Sequence, residues 1–327
     1  MSDDAIPSAK LPLSARSPGK CIVFGEHAVV HGGPELLLAL DLYTQVGVAV
    51  GPETRLNHDV DGRRSNPYFD RALDRFWRDR PAIDVSVVSR VPRSAGLGSS
   101  AAFVAALGAA LASASGGMSR PELAQAAFDI ERGAQGVGSP GDTAATIAGG
   151  CVTVNSDMGT ILWQVEHAEE SWTVRRVPDP NWVWVVGYSG IPRNTATAVL
   201  AVGRRLAQPD GPSLLARFAE VAESGIRAFV NEDPESVGAG MIRNQELLRE
   251  VGVSHPRLEA LLAAAEPVAL GAKLTGAGAG GSVLVLPRPG REMEVVRRLA
   301  RAGAAAYAVR SGSPGADLVS ATRIPSG

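Results

Sequence analysis

The segment at residues 92–102, Pro-Arg-Ser-Ala-Gly-Leu-Gly-Ser-Ser-Ala-Ala, constrains the fold of this chain most strongly. It follows an apolar run at residues 85–90 that is typical of a strand, and it leads into an alanine-rich run at residues 101–115 that is typical of a helix. Glycines let a ligand approach the backbone, and a helix N-terminus presents free N–H groups, so such a loop can hold phosphate. The segment matches neither the Walker A pattern GxxxxGK[ST] nor the dinucleotide-binding pattern GxGxxG. From Gly96 and Gly98 alone, a turn followed by a helix cap is an equal alternative.

Two further glycine-rich segments have the same combination of turn residues and apolar flanks. Residues 273–282 carry four glycines between two apolar runs, which predicts a tight functional turn rather than a flexible linker. Residues 17–32 place Lys20, Glu26, His27 and His31 close together in the sequence. The two histidines are four residues apart, but the sequence offers no third ligand nearby, so we do not expect a zinc site.

Length, charge and cysteine content exclude several classes of protein. The chain has 327 residues, which at roughly 100–200 residues per domain predicts two domains, and we place the boundary between residues 185 and 186. With 32 Lys+Arg against 34 Asp+Glu and no basic stripe, we expect neither nucleic-acid binding nor disorder. Only two cysteines occur, and the longest weakly polar run, residues 101–114, is shorter than the roughly 20 residues of a membrane span. We therefore expect a cytoplasmic protein without a membrane partner.

Hydrophobic periodicity predicts a mixture of strands and helices along the whole chain. A helix is expected at residues 119–133, where Ser119 precedes Pro121 and Glu122 as in a capping box. Helices are also expected over residues 195–265, with breaks at 209–212 and near 234, and over 292–302. The predicted strands, besides residues 85–90, are residues 20–24, 36–50, 182–188, 272–275, 282–287 and 305–310.

The three glycine-rich segments together resemble a known family. SPGKCIVFGEHAVVHGG (residues 17–33), PRSAGLGSSAA (92–102) and KLTGAGAGGS (273–282), in this order, are similar to the three signature motifs of the GHMP kinases. Residues 191–195 (IPRNT) and 244–255 (NQELLREVGVSH) resemble segments of the mevalonate kinases within that family. The resemblance extends from about residue 15 to residue 286.

This resemblance implies a two-domain α+β fold, an activity and a set of site residues. The N-terminal domain would be similar to ribosomal protein S5 domain 2, and the C-terminal domain would be a ferredoxin-like sandwich. The chain would transfer the γ-phosphoryl group of ATP to the C5 hydroxyl of mevalonate with the help of Mg²⁺. By resemblance, Asp142 and Lys20 would be catalytic, and Ser100 and Glu131, which lies eleven residues before Asp142, would bind the metal. ATP would contact Ser94, Ala95, Gly96, Leu97, Gly98, Ser99, Ser100 and Ala101, and the acceptor would contact Glu26, His27, Thr195, Gly276, Ala277 and Gly278.

Taken without the resemblance, the same residues have ordinary explanations. Asp142 after a Gly-Pro loop is more often a helix cap, Lys20 a surface lysine and Glu131 an exposed helix residue. For His27, a hydrogen-bonded structural histidine is the alternative. A GHMP homologue that binds ATP without catalysis is a further alternative. The joint presence of Lys20, Ser100, Glu131 and Asp142 favours catalysis, because a pure binding module does not need them all.

Two departures from the family pattern affect the identity of the acceptor. Residues 135–141 read Gln-Gly-Val-Gly-Ser-Pro-Gly where mevalonate kinases commonly have HGNPSG before the aspartate, and Ala196 stands where a lysine often follows the threonine. Phosphomevalonate, another hydroxyl of mevalonate and a sugar therefore remain alternative acceptors. The resemblance also implies a homodimer.

Overall fold

The computed structural model describes residues 5–56, 66–193 and 195–320, apart from the side chains of residues 195–197. The described residues form two main sheets with helices packed on them. The strands are β1 (Ala5–Ile6), β2 (Leu13–Phe24), β3 (Glu35–Val50), β4 (Arg55–Leu56), β5 (Ile83–Ser89), β6 (Met118–Ser119), β7 (Cys151–Val154), β8 (Thr160–His167), β9 (Glu170–Val177), β10 (Val183–Tyr188), β11 (Ala269–Thr275), β12 (Ser282–Pro287), β13 (Ala305–Arg310) and β14 (Asp317–Val319). The α-helices are α1 (Pro67–Phe76), α2 (Ser99–Ala114), α3 (Arg120–Gln135), α4 (Gly141–Ala148), α5 (Thr195–Leu206), α6 (Gly211–Val230), α7 (Pro234–Glu250), α8 (Pro256–Ala265) and α9 (Glu292–Arg301).

The larger sheet is built around the two long strands β2 and β3. Its strand order is β14-β2-β3-β7-β9-β8, and β5 pairs with the C-terminal half of β3 while β4 joins β5. β2 and β3 pair from Leu13 opposite Val48 to Phe24 opposite Leu36. Residues 36–40 are buried on both faces of the sheet, which explains why this part of the sequence is continuously apolar.

The alanine-rich helix α2 lies at the centre of the N-terminal core. Residues 101–113 are all buried, as expected for a helix that is apolar on every side. Helices α1, α3 and α4 pack directly on it, and at Gly108 a Cβ would lie 2.8 Å from Leu123 Cδ1. This close packing, together with a 3.0 Å hydrogen bond from Lys20 N to Leu97 O, holds the N-terminus of α2 beside β2.

The smaller sheet has the strand order β11-β12-β10-β13, and all of its pairs are antiparallel. Helices α5 to α8 connect β10 to β11, and α9 connects β12 to β13. This is the β-α-β-β-α-β order of a ferredoxin-like domain. The two sheets with their helices confirm the predicted α+β fold class. The boundary that we place between residues 185 and 186 falls inside β10 and stays a prediction.

The two sheets meet where the three glycine-rich segments come together. Thr275 Oγ1 donates a hydrogen bond to Ile22 O (3.0 Å) and accepts one from Ile22 N (2.8 Å). Ser282 Oγ donates to Ala95 O at 2.8 Å. All four residues are buried, so these bonds fix the ends of β2 and β11 next to the loop that precedes α2.

The end of the described chain returns to the first sheet. β14 pairs with β2 in the antiparallel sense, with Asp317 opposite Arg16 and Val319 opposite Ser14. It thus covers the edge of β2 that faces away from β3. None of the helices in the described part of the chain combines the length and the apolar character needed to cross a membrane.

Most of the predicted elements are confirmed, and the exceptions have a physical cause. Ser119 caps α3 in a complete capping box with Glu122, and Gly136 ends the helix with φ 80°. The pattern did not predict α1, whose buried face consists of only Phe69, Ala72 and Phe76. It also did not predict β7, which has only four residues, or β8 and β9, which are half exposed and whose apolar residues alternate with polar and charged ones.

Candidate active site

Lys20 and Asp142 form an ion pair at the centre of the site. Asp142 lies in the first turn of α4 and Lys20 lies in β2, and Lys20 Nζ is 2.8 Å from Asp142 Oδ1. Lys20 is fully buried, whereas the side chain of Asp142 keeps 29% of its surface exposed. Asp142 does not cap the helix, because the N-cap is Pro140 and no side-chain cap bond is formed. A partly exposed carboxylate held by a buried cation can act on a bound molecule.

The loop before α2 packs on Lys20 and leads directly into the helix N-terminus. Lys20 Nζ donates to Gly96 O at 3.2 Å. Gly98 is the N-cap of α2 with φ 72°, and a Cβ there would lie 2.8 Å from Lys20 Cγ. Glycine is therefore required at this position by both its backbone conformation and its contact with the lysine. The first N–H groups of α2 have no partner inside the helix, which makes this end suitable for an anion.

A cleft of about 520 Å³ lies beside this loop. Its lining combines the loop, the first turn of α2 and polar side chains from α1, α3 and α4. A cavity of this volume accommodates a ligand of the size of a nucleotide. The described residues that line it include Thr44, Asn66, Tyr68, Ser94, Ala95, Gly96, Gly98, Ser99, Ser100, Gln135, Asp142 and Arg193.

Glu131 lies near the end of α3 and has a buried carboxyl group with one unused oxygen. Gln135 Nε2 donates to Glu131 Oε2 at 3.0 Å, but Oε1 has no hydrogen-bond partner among the described residues. Burial, and next the charge of Asp142, raise the pKa of Glu131 to about 7, while the hydroxyl of Ser100 acts in the opposite direction. A cation between Ser100 and Glu131 would supply the missing partner. These residues therefore fit a hard divalent cation such as Mg²⁺.

Glu26 and Lys273 form a second, fully buried ion pair. Lys273 Nζ donates to Glu26 Oε1 and, at 2.8 Å, to Leu274 O, whereas Glu26 Oε2 has no partner among the described residues. The pair links Glu26, in the loop after β2, with Lys273, in β11, and it therefore connects the two sheets. Burial raises the pKa of Glu26 and lowers that of Lys273.

His27, next to Glu26, is buried and neutral. Burial lowers the pKa of His27 to about 4. Its Nε2 lies 3.1 Å from Ala277 O, which can only accept a hydrogen bond, so the proton of the neutral ring is on Nε2. Nδ1 is then left as an acceptor. The residue has φ 64°, and it precedes a short 3₁₀ turn at residues 28–31.

A second, smaller cavity of about 80 Å³ adjoins the cleft. Asp142, Gln135 and Arg193 line both cavities, which places them at the junction. The smaller cavity is therefore adjacent to the carboxylate that also faces the nucleotide-sized cleft. The described residues that line it include Lys20, Glu26, His27, Glu35, Glu131, Gly276 and Ala277.

The glycine loop after β11 lies close to Arg193. A Cβ at Gly276 would lie 2.8 Å from Arg193 Nη1, and one at Gly96 would lie 3.3 Å from Arg193 Nε. Gly278 has a different neighbour, since a Cβ there would lie 2.4 Å from Val253 O. The loops thus leave space for the guanidinium group between the two cavities.

The structure brings most of the sequence-predicted residues together, but not all of them face a cavity. Leu97 and Ala101 are buried beneath the loop and the helix, and Gly278 packs on Val253. The side chain of Thr195 lies outside the described residues.

Three residues of the site were not predicted from the sequence. Arg193, Glu35 and Lys273 all lie in or next to the two cavities. A charged residue inside an otherwise apolar strand was the available signal for Lys273, whereas Glu35, which begins β3, gave no such signal. Arg193 belongs to the segment IPRNT, in which the threonine was predicted to contact the acceptor.

Comparison with known families agrees with this geometry. Residues 67–150 match the family model described as "GHMP kinases N terminal domain", and residues 226–305 match "GHMP kinases C terminal". The protein named mevalonate kinase of Methanothermobacter thermautotrophicus is 31% identical over 303 residues, which cover 88% of this chain and 94% of that protein. The chain belongs to the GHMP kinase family.

Within this family, the relatives that are about 30% identical in sequence are named mevalonate kinase. The mevalonate kinase of Archaeoglobus fulgidus is also 31% identical, over 84% of this chain and 92% of that protein. The solved structure of L. major mevalonate kinase in complex with R-mevalonate has a TM-score of 0.78 and 22% identity, covering 96% of this chain and all of that one. Streptococcus pneumoniae phosphomevalonate kinase has a TM-score of 0.73 with 16% identity, covering 91% and 99% of the two chains. At these identities the solved structures support the fold alone.

Proposed function

We propose that this chain transfers the γ-phosphoryl group of ATP to the C5 hydroxyl of mevalonate, giving ADP and 5-phosphomevalonate for isoprenoid synthesis. The observation that carries this proposal is the position of the Lys20–Asp142 pair. Asp142 lines both the nucleotide-sized cleft and the smaller cavity, so a hydroxyl bound in one would meet a phosphate bound in the other. The names of the archaeal relatives support mevalonate as the acceptor.

Asp142 and Lys20 would perform the proton and charge work of the transfer. The free part of the Asp142 carboxylate accepts the proton of the C5 hydroxyl, or orients that hydroxyl for attack. The Lys20 ammonium holds the carboxylate in place and adds positive charge beside the phosphoryl group as it moves. Phosphoryl transfer needs little more than such positioning and charge stabilisation.

The nucleotide phosphates would bind at the N-terminus of α2. The N–H groups of Ser99, Ser100 and Ala101 precede the first helical bond, from Ala102 N to Gly98 O (2.8 Å), and are free to donate. The positive end of the helix dipole favours anions at the same place. Of the predicted ATP contacts, Ser94, Ala95, Gly96 and Gly98 line the cleft together with the two serines.

Glu131 and Ser100 would hold Mg²⁺. The unused Oε1 of Glu131 and the adjacent Ser100 hydroxyl are oxygen ligands of the kind that this ion prefers. When bound, the ion neutralises phosphate charge. Gln135 orients the Glu131 carboxyl through the other oxygen.

Glu26 and His27 would contact the acceptor, with Gly276 and Ala277 forming the adjoining wall of the cavity. Both lysines nearby are paired with carboxylates, whereas the Arg193 guanidinium also lines this cavity. Mevalonate is proposed over phosphomevalonate because the archaeal relatives carry the name mevalonate kinase. Contact of the acceptor with Thr195, a cytoplasmic location and a homodimer are further proposals that rest on the family resemblance.

The direct test is ADP release by the purified protein with Mg-ATP and a panel of acceptors. Mevalonate, phosphomevalonate, galactose and homoserine are compared, and ³¹P–¹H NMR identifies the phosphorylated position. We expect turnover with mevalonate and a phosphate on C5. Turnover with another acceptor alone would contradict the proposed acceptor, and binding of ATP without turnover of any acceptor would contradict the proposed reaction.

A further inference from the structure

Glu35 is a buried acid in the smaller cavity that the proposed reaction does not use. It is the first residue of β3, is 1% exposed and lines the cavity together with Asp142 and Glu26. Its Oε2 has no hydrogen-bond partner among the described residues. A buried polar atom without a partner is unfavourable, so a side chain placed in this way calls for an explanation.

Two glycines leave room for Glu35, Gly141 for its carboxyl group and Gly25 for its backbone. A Cβ at Gly141 would lie 2.1 Å from Glu35 Oε2, and one at Gly25 would lie 2.5 Å from Glu35 Cα. Gly141 directly precedes Asp142 in the sequence. The carboxyl group of Glu35 is therefore packed against the backbone that positions the proposed catalytic aspartate.

Glu35 lies near two ion pairs, and no cation of the described residues forms an ion pair with it. Four charged groups act on it, namely Asp142 and Lys20 on one side and Glu26 and Lys273 on the other. Each lysine is bonded to its own carboxylate. Burial, and next the charge of Asp142, raise the pKa of Glu35 well above its ordinary value. The raised pKa favours the protonated form of the side chain, which has one O–H group to donate.

A donor in this position needs an acceptor atom, and the molecule bound in the cavity can supply it. The atom that fits best is a neutral oxygen, because an anionic group at Glu35 would also face the carboxylates of Asp142 and Glu26. Mevalonate carries one neutral oxygen besides the reacting C5 hydroxyl, namely its tertiary hydroxyl.

We propose that Glu35 recognises the acceptor by donating a hydrogen bond to the hydroxyl group that is not phosphorylated, which in mevalonate is the tertiary hydroxyl. This assignment rests on the proposed function. It gives Glu35 a role in specificity that is separate from the proton and charge work of Asp142 and Lys20.

The test compares Glu35→Leu with Glu35→Gln, which keeps the size of the side chain and a donor group. We expect Glu35→Leu to raise the KM for mevalonate about tenfold to a hundredfold, the usual effect of losing a buried hydrogen bond to a ligand. The KM for ATP stays within about twofold, and the Tm is unchanged or higher because an unpartnered polar group is removed. Glu35→Gln recovers most of the lost affinity. Glu35→Met replaces the leucine variant if that protein does not fold.

Two controls separate recognition from a general disturbance of the sheet. The first is Thr153→Val, which removes a buried hydroxyl from the neighbouring strand β7, where Thr153 pairs with Leu36; its KM values stay at the wild-type level. The second is 5-hydroxy-3-methylpentanoate, which lacks the tertiary hydroxyl. With this acceptor the wild type and Glu35→Leu have the same KM within about threefold.

Three outcomes would overturn the assignment while leaving the proposed function in place. They are a normal KM for mevalonate in Glu35→Leu, an equal loss in Glu35→Gln, and a full loss in Glu35→Leu that persists with the analogue. The absence of mevalonate turnover by the wild type would instead overturn the proposed function, and this assignment with it.

Discussion

Among the described residues, Lys273 is the only cation that forms a hydrogen bond with the Glu26 carboxylate. Replacing Lys273 with methionine removes this counter-ion. Lys273 and Glu26 have side-chain exposures of 0% and 1%, so water cannot take the place of the lysine. Breaking a buried pair in this way typically costs about 3–5 kcal/mol, since it leaves an uncompensated buried charge. At about 2–4 °C per kcal/mol, we expect the Tm to fall by about 6–20 °C.

The double variant Lys273→Met with Glu26→Gln isolates the pair from the other contact of the lysine. Lys273 Nζ also donates to Leu274 O at 2.8 Å, and that bond is lost in both backgrounds. Removing the carboxylate charge first should therefore reduce the cost of Lys273→Met by at least about 2 kcal/mol. The free energy of unfolding is measured by urea titration for the wild type, both single variants and the double variant.

A surface ion pair of the same chain provides the matched control. Arg249 and Glu259 are joined by hydrogen bonds of 2.8–3.1 Å, but their side chains are 45% and 36% exposed. Arg249→Met should cost less than about 1 kcal/mol because solvent screens the pair. If Lys273→Met cost no more than this control, or the same amount with and without the Glu26 carboxylate, the reasoning from burial would be refuted.

Three further predictions concern the ion pair, the loop and the buried histidine. Asp142→Asn should lower kcat by about 10²–10⁴-fold while the affinity for ATP, measured by titration calorimetry, is retained; near-normal turnover would refute its role. Gly98→Ala should cost about 1–2 kcal/mol from its φ of 72° and should also lower kcat, because its Cβ would lie 2.8 Å from Lys20 Cγ; a stable variant with normal kcat would contradict this contact. His27 binds a proton near pH 6.5 when unfolded but only near pH 4 when folded, so stability is lost as the pH falls from 6.5 to 4, by up to about 3 kcal/mol. His27→Gln should make the urea midpoint less dependent on pH over this range, and an unchanged dependence would count against the buried neutral ring.

Local features of the sequence were sufficient to predict the elements that carry the strongest patterns. The capping box of α3 and the alanine-rich run of α2 are both confirmed with ends within two residues. β8 and β9 were not predicted, because they are half exposed and their identity as strands depends on mutual pairing rather than on a continuous apolar run.

The candidate site was predicted only as far as the family motifs reach. Lys20 and Asp142 lie in or near those motifs, and the structure places them 2.8 Å apart. The partner of Glu26 could not be found from spacing, because Lys273 is 247 residues away in the sequence. Glu35 was passed over for a related reason. An acid at the start of an apolar strand resembles an exposed end, and only the tertiary packing against Gly141 shows that it is buried.

The pairing of β14 with β2 determines when the N-terminal sheet can be completed during synthesis. β2 leaves the ribosome well before its partner at residues 317–319, which is made some 300 residues later. At about 5–20 residues per second, the outer edge of β2 remains open for tens of seconds. An open strand edge is a template for association with other chains, so we expect the nascent protein to need shielding of this edge until β14 is in place.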